Sequence, residues 1–343
     1  MNTKIIAQKN RAELEYAANV IKRGGLVIFP TETVYGLGAD ATNPEAVKNI
    51  YLAKGRPSDN PLIIHIANPE DAEGYAFTTT LYYELAKRFM PGPLTVILKA
   101  KDTVPPVTRG GLETVAVRCP ENKIARELIS LSDTAIAAPS ANLSGTPSPT
   151  SASHVIKDMT GRVDVIIDGG DCEIGLESTI VKLEDDSTAT LLRPGKITVE
   201  ELLTVVNEVK IADSVTDMLK DGEPVLSPGM KYKHYAPRAE LILLDADKDE
   251  FLRYVSENAD EKTAVIAYSE FLSELDTAYD CYDFGKAADE EKQAQLLFSI
   301  LRKTDEHSYS RIYAPLPSKT GIGLALYNRM IRAAAHKIIR LRR

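Results

Sequence analysis

From residue 26 to about residue 208, short apolar runs alternate with stretches of helical spacing. Leu26-Val27-Ile28-Phe29 is a continuous apolar run stopped by Pro30, the mark of a buried strand. Asn43-Pro44-Glu45 predicts a helix start: Asn43 supplies an N-cap oxygen, Pro44 fits the first helical position, and Glu45 meets the positive end of the helix. Ala46, Val47, Ile50, Tyr51 and Ala53 give that helix its apolar side, and Gly55 is placed to end it in a left-handed conformation. Further strands are expected at 62–66, 94–98, 115–118, 136–138, 163–167, 179–183 and 190–192. Helices are expected at 81–89, 124–131, 152–159 and 199–206, the last opened by the capping box Thr198-Val199-Glu200-Glu201. Several strands follow one another without a helix between them. That order predicts an α+β or mixed α/β sheet rather than a strict βαβ array.

Periodicity fades between about 209 and 238, where Asp221-Gly222-Glu223-Pro224 and Ser227-Pro228-Gly229 read as a connector. Lys231-Tyr232-Lys233-His234-Tyr235 inside it is too aromatic and cationic for a plain spacer. A second α/β pattern follows, with strands at 241–244, 264–267 and 311–313 and helices at 251–255, 293–302 and 323–338. The expected division is therefore 1–208, a connector at 209–238, and 239–343.

Composition adds bounds rather than answers. The 343 residues are 44% hydrophobic and 26% charged, ordinary for a globular protein with core enough for two domains. A formal net charge of -8 argues against broad, sequence-independent binding to nucleic acid. The three cysteines, Cys119, Cys172 and Cys281, form no CxxC pair, and a reducing, cytoplasmic setting is the simplest reading. The five histidines lack metal-ligand spacing. Met1 to Lys9 does not read as a signal peptide, and no apolar run approaches the roughly 20 residues of a membrane span.

The candidate chemistry gathers where apolar runs end. Lys54-Gly55-Arg56-Pro57-Ser58-Asp59-Asn60-Pro61 puts two cations at a helix exit beside a proline-set polar loop, and the following apolar run ends in His65. The two cations could be solvated helix ends, or they could neutralise phosphates. Arg118 and Arg193 each close an apolar strand, and a partly desolvated arginine wants an anionic partner. Several such positions favour a triphosphate. Pro139-Ser140-Ala141-Asn142 and the loop through Ser148 would present neutral hydrogen-bond donors at a strand end. There is no GxGxxG after a strand, no GxxxxGK[ST] and no GxSxG elbow, so Rossmann, P-loop and serine-hydrolase chemistry lack support.

In order along the chain, PTETVYGLGADATN, KGRPSDNPLIIHI, PGPLTVIL, TVAVRCP, APSANLSGTPSPT, VIIDGG, GLESTI and LLRPG resemble the YrdC/Sua family of threonylcarbamoyl-AMP synthases. SPGMKYKHYAP and the C-terminal α/β region are similar to its longer, two-domain branch. The resemblance implies a YrdC-like mixed, twisted sheet with a concave binding face and a smaller Rossmann-like C-terminal α/β domain. It implies a cytoplasmic nucleotidyltransferase that uses L-threonine, bicarbonate and ATP, with Mg2+ carried on the nucleotide, in the first step of t6A37 synthesis on tRNA. It places threonine at Thr33, His65, Arg118, Ala138 and Ser178. ATP would lie against Arg56, Asn60, Thr114, Ser140, Ser148, Arg193 and Tyr232, the last reaching back from the connector as a lid. Lys54, Arg56, Ser140 and Asn142 would form the catalytic, bicarbonate-side group. Downstream tRNA threonylcarbamoyl-transfer proteins would be partners, tRNA itself only indirectly, and no membrane.

Overall fold

A computed structural model describes residues 2–7, 11–217 and 235–341, in two compact units. Of the described residues, the first unit takes 2–144, 148–173 and 177–217, and the second takes 145–147, 174–176 and 235–341. Tyr232 and most of the expected connector lie outside the described residues.

In chain order the first unit carries β1 (Lys4–Ala7), α1 (Arg11–Lys22), β2 (Val27–Phe29), β3 (Gly36–Asp40), α2 (Pro44–Lys54), β4 (Ile63–His65), β5 (Ala76–Phe77), α3 (Thr80–Phe89) and β6 (Leu94–Ala100). It continues with β7 (Thr114–Arg118), α4 (Lys123–Ser132), β8 (Ile136–Ala137), α5 (Ala152–Met159), β9 (Val165–Asp168), β10 (Thr179–Leu183), β11 (Thr188–Arg193), α6 (Val199–Leu202) and β12 (Glu208–Ile211). Among the described residues these strands make one mixed sheet, ordered β1-β9-β2-β3-β8-β4-β7-β6-β10-β11-β12, with β5 paired to β6. Helices α1 and α4 cover one part of it: Leu14, Ala17, Ile21, Leu128 and Ile129 share a core with Val27, Phe29, Ile136 and Val165. A few kcal/mol accompany each such fully buried aliphatic or aromatic side chain, roughly 1.5–3 apiece.

The local signals at α2 act as expected. Asn43 Oδ1 accepts from the backbone N–H of Glu45 and Ala46, Pro44 follows, and Gly55 closes the helix at φ 63°. Two expectations fail. The helix expected at 199–206 ends at Leu202, and the strand β12 then pairs in parallel with β11, so the sheet runs into the segment read as connector. The final helix ends at Ala333 instead of running to 338, because Ala335 and His336 adopt positive φ. Residues 338–340 form a strand instead.

The second unit contains β13 (Glu240–Asp245), α7 (Lys248–Asn258), β14 (Thr263–Ala267), β15 (Asp280–Asp283), α8 (Glu290–Thr304), β16 (Arg311–Pro315), α9 (Gly323–Ala333) and β17 (Ile338–Arg340). Its sheet is parallel at every pairing, in the order β15-β14-β16-β13-β17. Parallel strands joined through helices make this the Rossmann-like α/β layer. Its core holds Ile242, Leu244, Phe251, Val255, Val265 and Tyr313. No described helix of the chain is long and apolar enough to cross a membrane.

Candidate active site

Strand β4 has a polar cluster at each end. At its N-terminal end, the left-handed Gly55 turns the chain back, and the N–H groups of Gly55 and Arg56 bond to Leu52 O and Tyr51 O. Lys54, only 3% exposed, therefore points inward from the last turn of α2. Its ammonium donates to Ser140 O, to Asn142 O at 2.7 Å and to Asn142 Oδ1 at 3.4 Å. Ser140 Oγ donates to the same Oδ1 at 2.5 Å. Lys54, Ser140 and Asn142 thus form one hydrogen-bonded group, with Lys54 tying α2 to the loop after β8. Within its own loop, Arg56 Nη2 donates to Asn60 O and Pro61 O at 3.4 and 3.3 Å. The Tyr51 hydroxyl donates to Asn60 O at 3.0 Å from beneath, and burial pushes its pKa up to about 12, so it remains a donor. Gly110, at φ 60°, lets a second loop press on this one: a Cβ there would stand 3.0 Å from Pro61 N. Thr114 belongs to this end as well, since β4 and β7 run parallel with Ile63 opposite Ala116. Ala138, whose N–H bonds to Ile63 O, lies between the two clusters.

At the C-terminal end of β4 the register lines up residues from distant parts of the chain. His65 pairs with Arg118, Arg118 with Thr95, Thr95 with Ile180, and Ile180 with Arg193. An irregularity in the β10–β11 ladder falls right after Ile180. Directly opposed residues share a face. The Arg193 guanidinium donates to Ser178 O at 3.0 Å and Ser178 Oγ at 3.1 Å, and Thr95 Oγ1 lies 2.7 Å from the same Oγ. Arg193, expected with the nucleotide, therefore meets Ser178, expected with threonine. Ser148 Oγ donates to Glu177 Oε1 at 2.5 Å, which ties the Ser148 loop to the residue before Ser178. One pleat back from this row, Ile63, Ala116 and Ile97 form an apolar floor between the two polar ends.

Arg118 and Glu32 are 4% and 3% exposed and form an ion pair at 2.5 Å. The anionic partner that the sequence reading sought in a ligand lies, for this arginine, inside the chain. The same contact sets the 31–33 loop beside Arg118, and within that loop Thr33 Oγ1 is 2.8 Å from Thr31 Oγ1. His65 packs edge-on to Phe29, with ring centres 6.0 Å apart. Burial first, and then the Arg118 charge, lower its pKa from 6.5 to about 3 against the opposing pull of the Ile136 and Ile63 carbonyls. The imidazole is neutral at any ordinary pH.

Among the described residues, nothing at hydrogen-bonding geometry meets the buried Nδ2 and Oδ1 of Asn60, Nδ1 of His65 or Nε of Arg118. Such groups are costly inside a protein unless something binds them. They stand at both ends of the floor.

The Sua5/YciO/YrdC family model, described as "Telomere recombination", matches residues 19–195, and a model described as "Threonylcarbamoyl-AMP synthase, C-terminal domain" matches 197–335. A threonylcarbamoyl-AMP synthase from Pyrococcus abyssi is 44% identical over 99% of this chain and 100% of its own length. One from Bacillus subtilis is 43% identical over 96% and 95%. The chain belongs to the Sua5 family of threonylcarbamoyl-AMP synthases. Its fold is that of the family: the crystal structure of P. abyssi Sua5 complexed with L-threonine superposes with a TM-score of 0.89 at 42% identity, covering all of both chains.

Sequence reasoning passed over Glu32, Thr95 and Glu177, the residues that hold Arg118, Ser178 and Ser148. Glu32 carried a usable signal: it is the lone acid in Pro30–Gly38, directly after a buried strand. Thr95 carried none, because a threonine in a strand is ordinary.

Proposed function

We propose that this Sua5-family member condenses L-threonine, bicarbonate and ATP into L-threonylcarbamoyl-AMP, pyrophosphate and water, the step that activates threonine for t6A37 of tRNA. The observation that carries the reading is the set of buried, unpartnered polar atoms on Asn60, His65 and Arg118 at the two ends of one apolar floor. A two-part ligand, anionic and hydrogen-bonding at both ends, matches that set.

The threonine end is the C-terminal end of β4. Arg118 receives the carboxylate, and neutral His65 with Ser178, Thr33 and the backbone at Ala138 holds the amine and hydroxyl. The nucleotide end is the loop of Arg56, Asn60 and Thr114 with Ser140, and Ser148 and Arg193 reach the phosphates. Tyr232 covers the nucleotide in this reading; it lies outside the described residues. The threonine amine attacks the bicarbonate carbon and water leaves, giving a carbamate. A carbamate oxygen then attacks the α-phosphate, and pyrophosphate departs with the bonding pair. No protein nucleophile is required, so the residues work by alignment and by neutralising charge. Lys54, Ser140 and Asn142 shape the loop beside the carbamate.

Magnesium enters with the triphosphate. Its coordination would come mainly from the phosphates and from water. We place the reaction in the cytoplasm, upstream of a protein that transfers the threonylcarbamoyl group to tRNA. The test is ATP turnover with single omissions. Pyrophosphate release should require both L-threonine and bicarbonate, and release that continues unchanged without either one defeats the proposal.

A further inference from the structure

Glu32 is bound from two directions. Its Oε1 accepts from Arg118 Nη2 at 2.5 Å. Its Oε2 accepts from the backbone N–H groups of Glu121 and Asn122, at 3.1 and 3.4 Å, just where Asn122 caps α4. Only a group that accepts on both sides fits this position. A glutamine amide has one accepting and one donating end, so it would set donor against donor at either Arg118 or the helix cap.

The guanidinium is planar, with its donors in a fixed fork. Pinning Nη2 therefore fixes where the rest of the fork points. Arg118 Nε is buried and has no partner among the described residues, so its direction is set by the Glu32 contact rather than by a bond of its own. Glu32 also supplies the counter-charge that lets an arginine 4% exposed remain inside. A carboxylate this close opposes a second carboxylate by like charge, which trims affinity. Orientation outweighs that cost, because an arginine without its buried partner would leave the position.

We infer that Glu32 is a positioning residue: through Arg118 it sets the affinity for the threonine carboxylate and leaves the nucleotide end unaffected. This rests on the reading of Arg118 given above. The test is steady-state pyrophosphate release by the full chain carrying Glu32→Gln, with KM measured separately for L-threonine and for ATP. The KM for threonine should rise roughly tenfold or more, the scale of one charge-assisted hydrogen bond. The KM for ATP should stay within about twofold, a change too small to count as a lost contact. Added to Arg118→Lys, Glu32→Gln should raise the threonine KM no more than about twofold further, since the effect passes through Arg118.

A threonine KM that holds or falls, or an ATP KM that climbs in parallel, overturns the inference. If Glu32→Gln fails to fold by circular dichroism, Glu32→Asp is held to the same criteria, because the shorter carboxylate keeps the charge but cannot reach both sets of donors. A wild-type enzyme whose pyrophosphate release ignores threonine defeats the reaction itself. A threonine-dependent wild type with an indifferent Glu32→Gln defeats only the role of Glu32.

Discussion

Acid should weaken the first unit through His65. The folded chain holds this imidazole neutral, its pKa lowered to about 3 by burial and then by the Arg118 charge. The unfolded chain takes up a proton near the ordinary 6.5. Between those values the unfolded state binds more protons than the folded one, so stability rises with pH there. The contribution is whole above pH 6.5 and is lost progressively as the pH falls towards 3. Each pH unit is worth about 1.4 kcal/mol, so at pH 4.5 the loss from this one group is about 3 kcal/mol. The assay is guanidinium denaturation followed by circular dichroism at pH 7 and pH 4.5, on the wild type and on His65→Gln. Wild type should lose about 3 kcal/mol more than the variant between the two pH values. Equal losses would show that His65 titrates normally, and the burial argument would be wrong.

Two further substitutions separate binding from stability. Asn60→Leu removes a buried side-chain amide that bonds to nothing among the described residues, so its melting temperature should hold or rise while the KM for ATP climbs at least about tenfold. A fall of several degrees would mean the amide has a structural partner. Lys54→Met strands the buried carbonyl of Asn142 and the part-buried one of Ser140 and should cost about 2–5 kcal/mol, read as a lower denaturation midpoint. An unchanged midpoint would count against Lys54 as the tie between α2 and the loop after β8.

Elements with strong punctuation were legible in the sequence. The helix Ala152–Met159 and the strand Thr179–Leu183 fall where the pattern sets them, and α2 is bounded by its own cap and its own glycine. Strand β3 was hidden because its fitness for the sheet comes from what it lacks. A Cβ on Gly38 would lie 2.6 Å from Ile136 Cγ2 and 2.7 Å from Phe29 Cε1, so glycines that read as a loop admit neighbouring side chains. Strand β12 is an edge with an exposed face and so shows no apolar run. The site divides the same way. Arginines and a histidine at the ends of apolar strands announce themselves by type and place. Their partners do not: Glu32 and Arg118 meet across 86 positions, and only the folded sheet brings them together.

The cross-strand row from His65 to Arg193 also bears on how the enzyme is made. Its members arrive on five strands, and the last, on β11, pairs with β10 only after residue 193 has been added. A nascent or truncated chain that stops short of β11 lacks the last member of this row, however well its earlier helices have formed. A slip of one residue in any of these ladders would turn that strand's contribution to the opposite face. Completion of the row is thus a late report on sheet assembly, and a half-built copy presents only part of it.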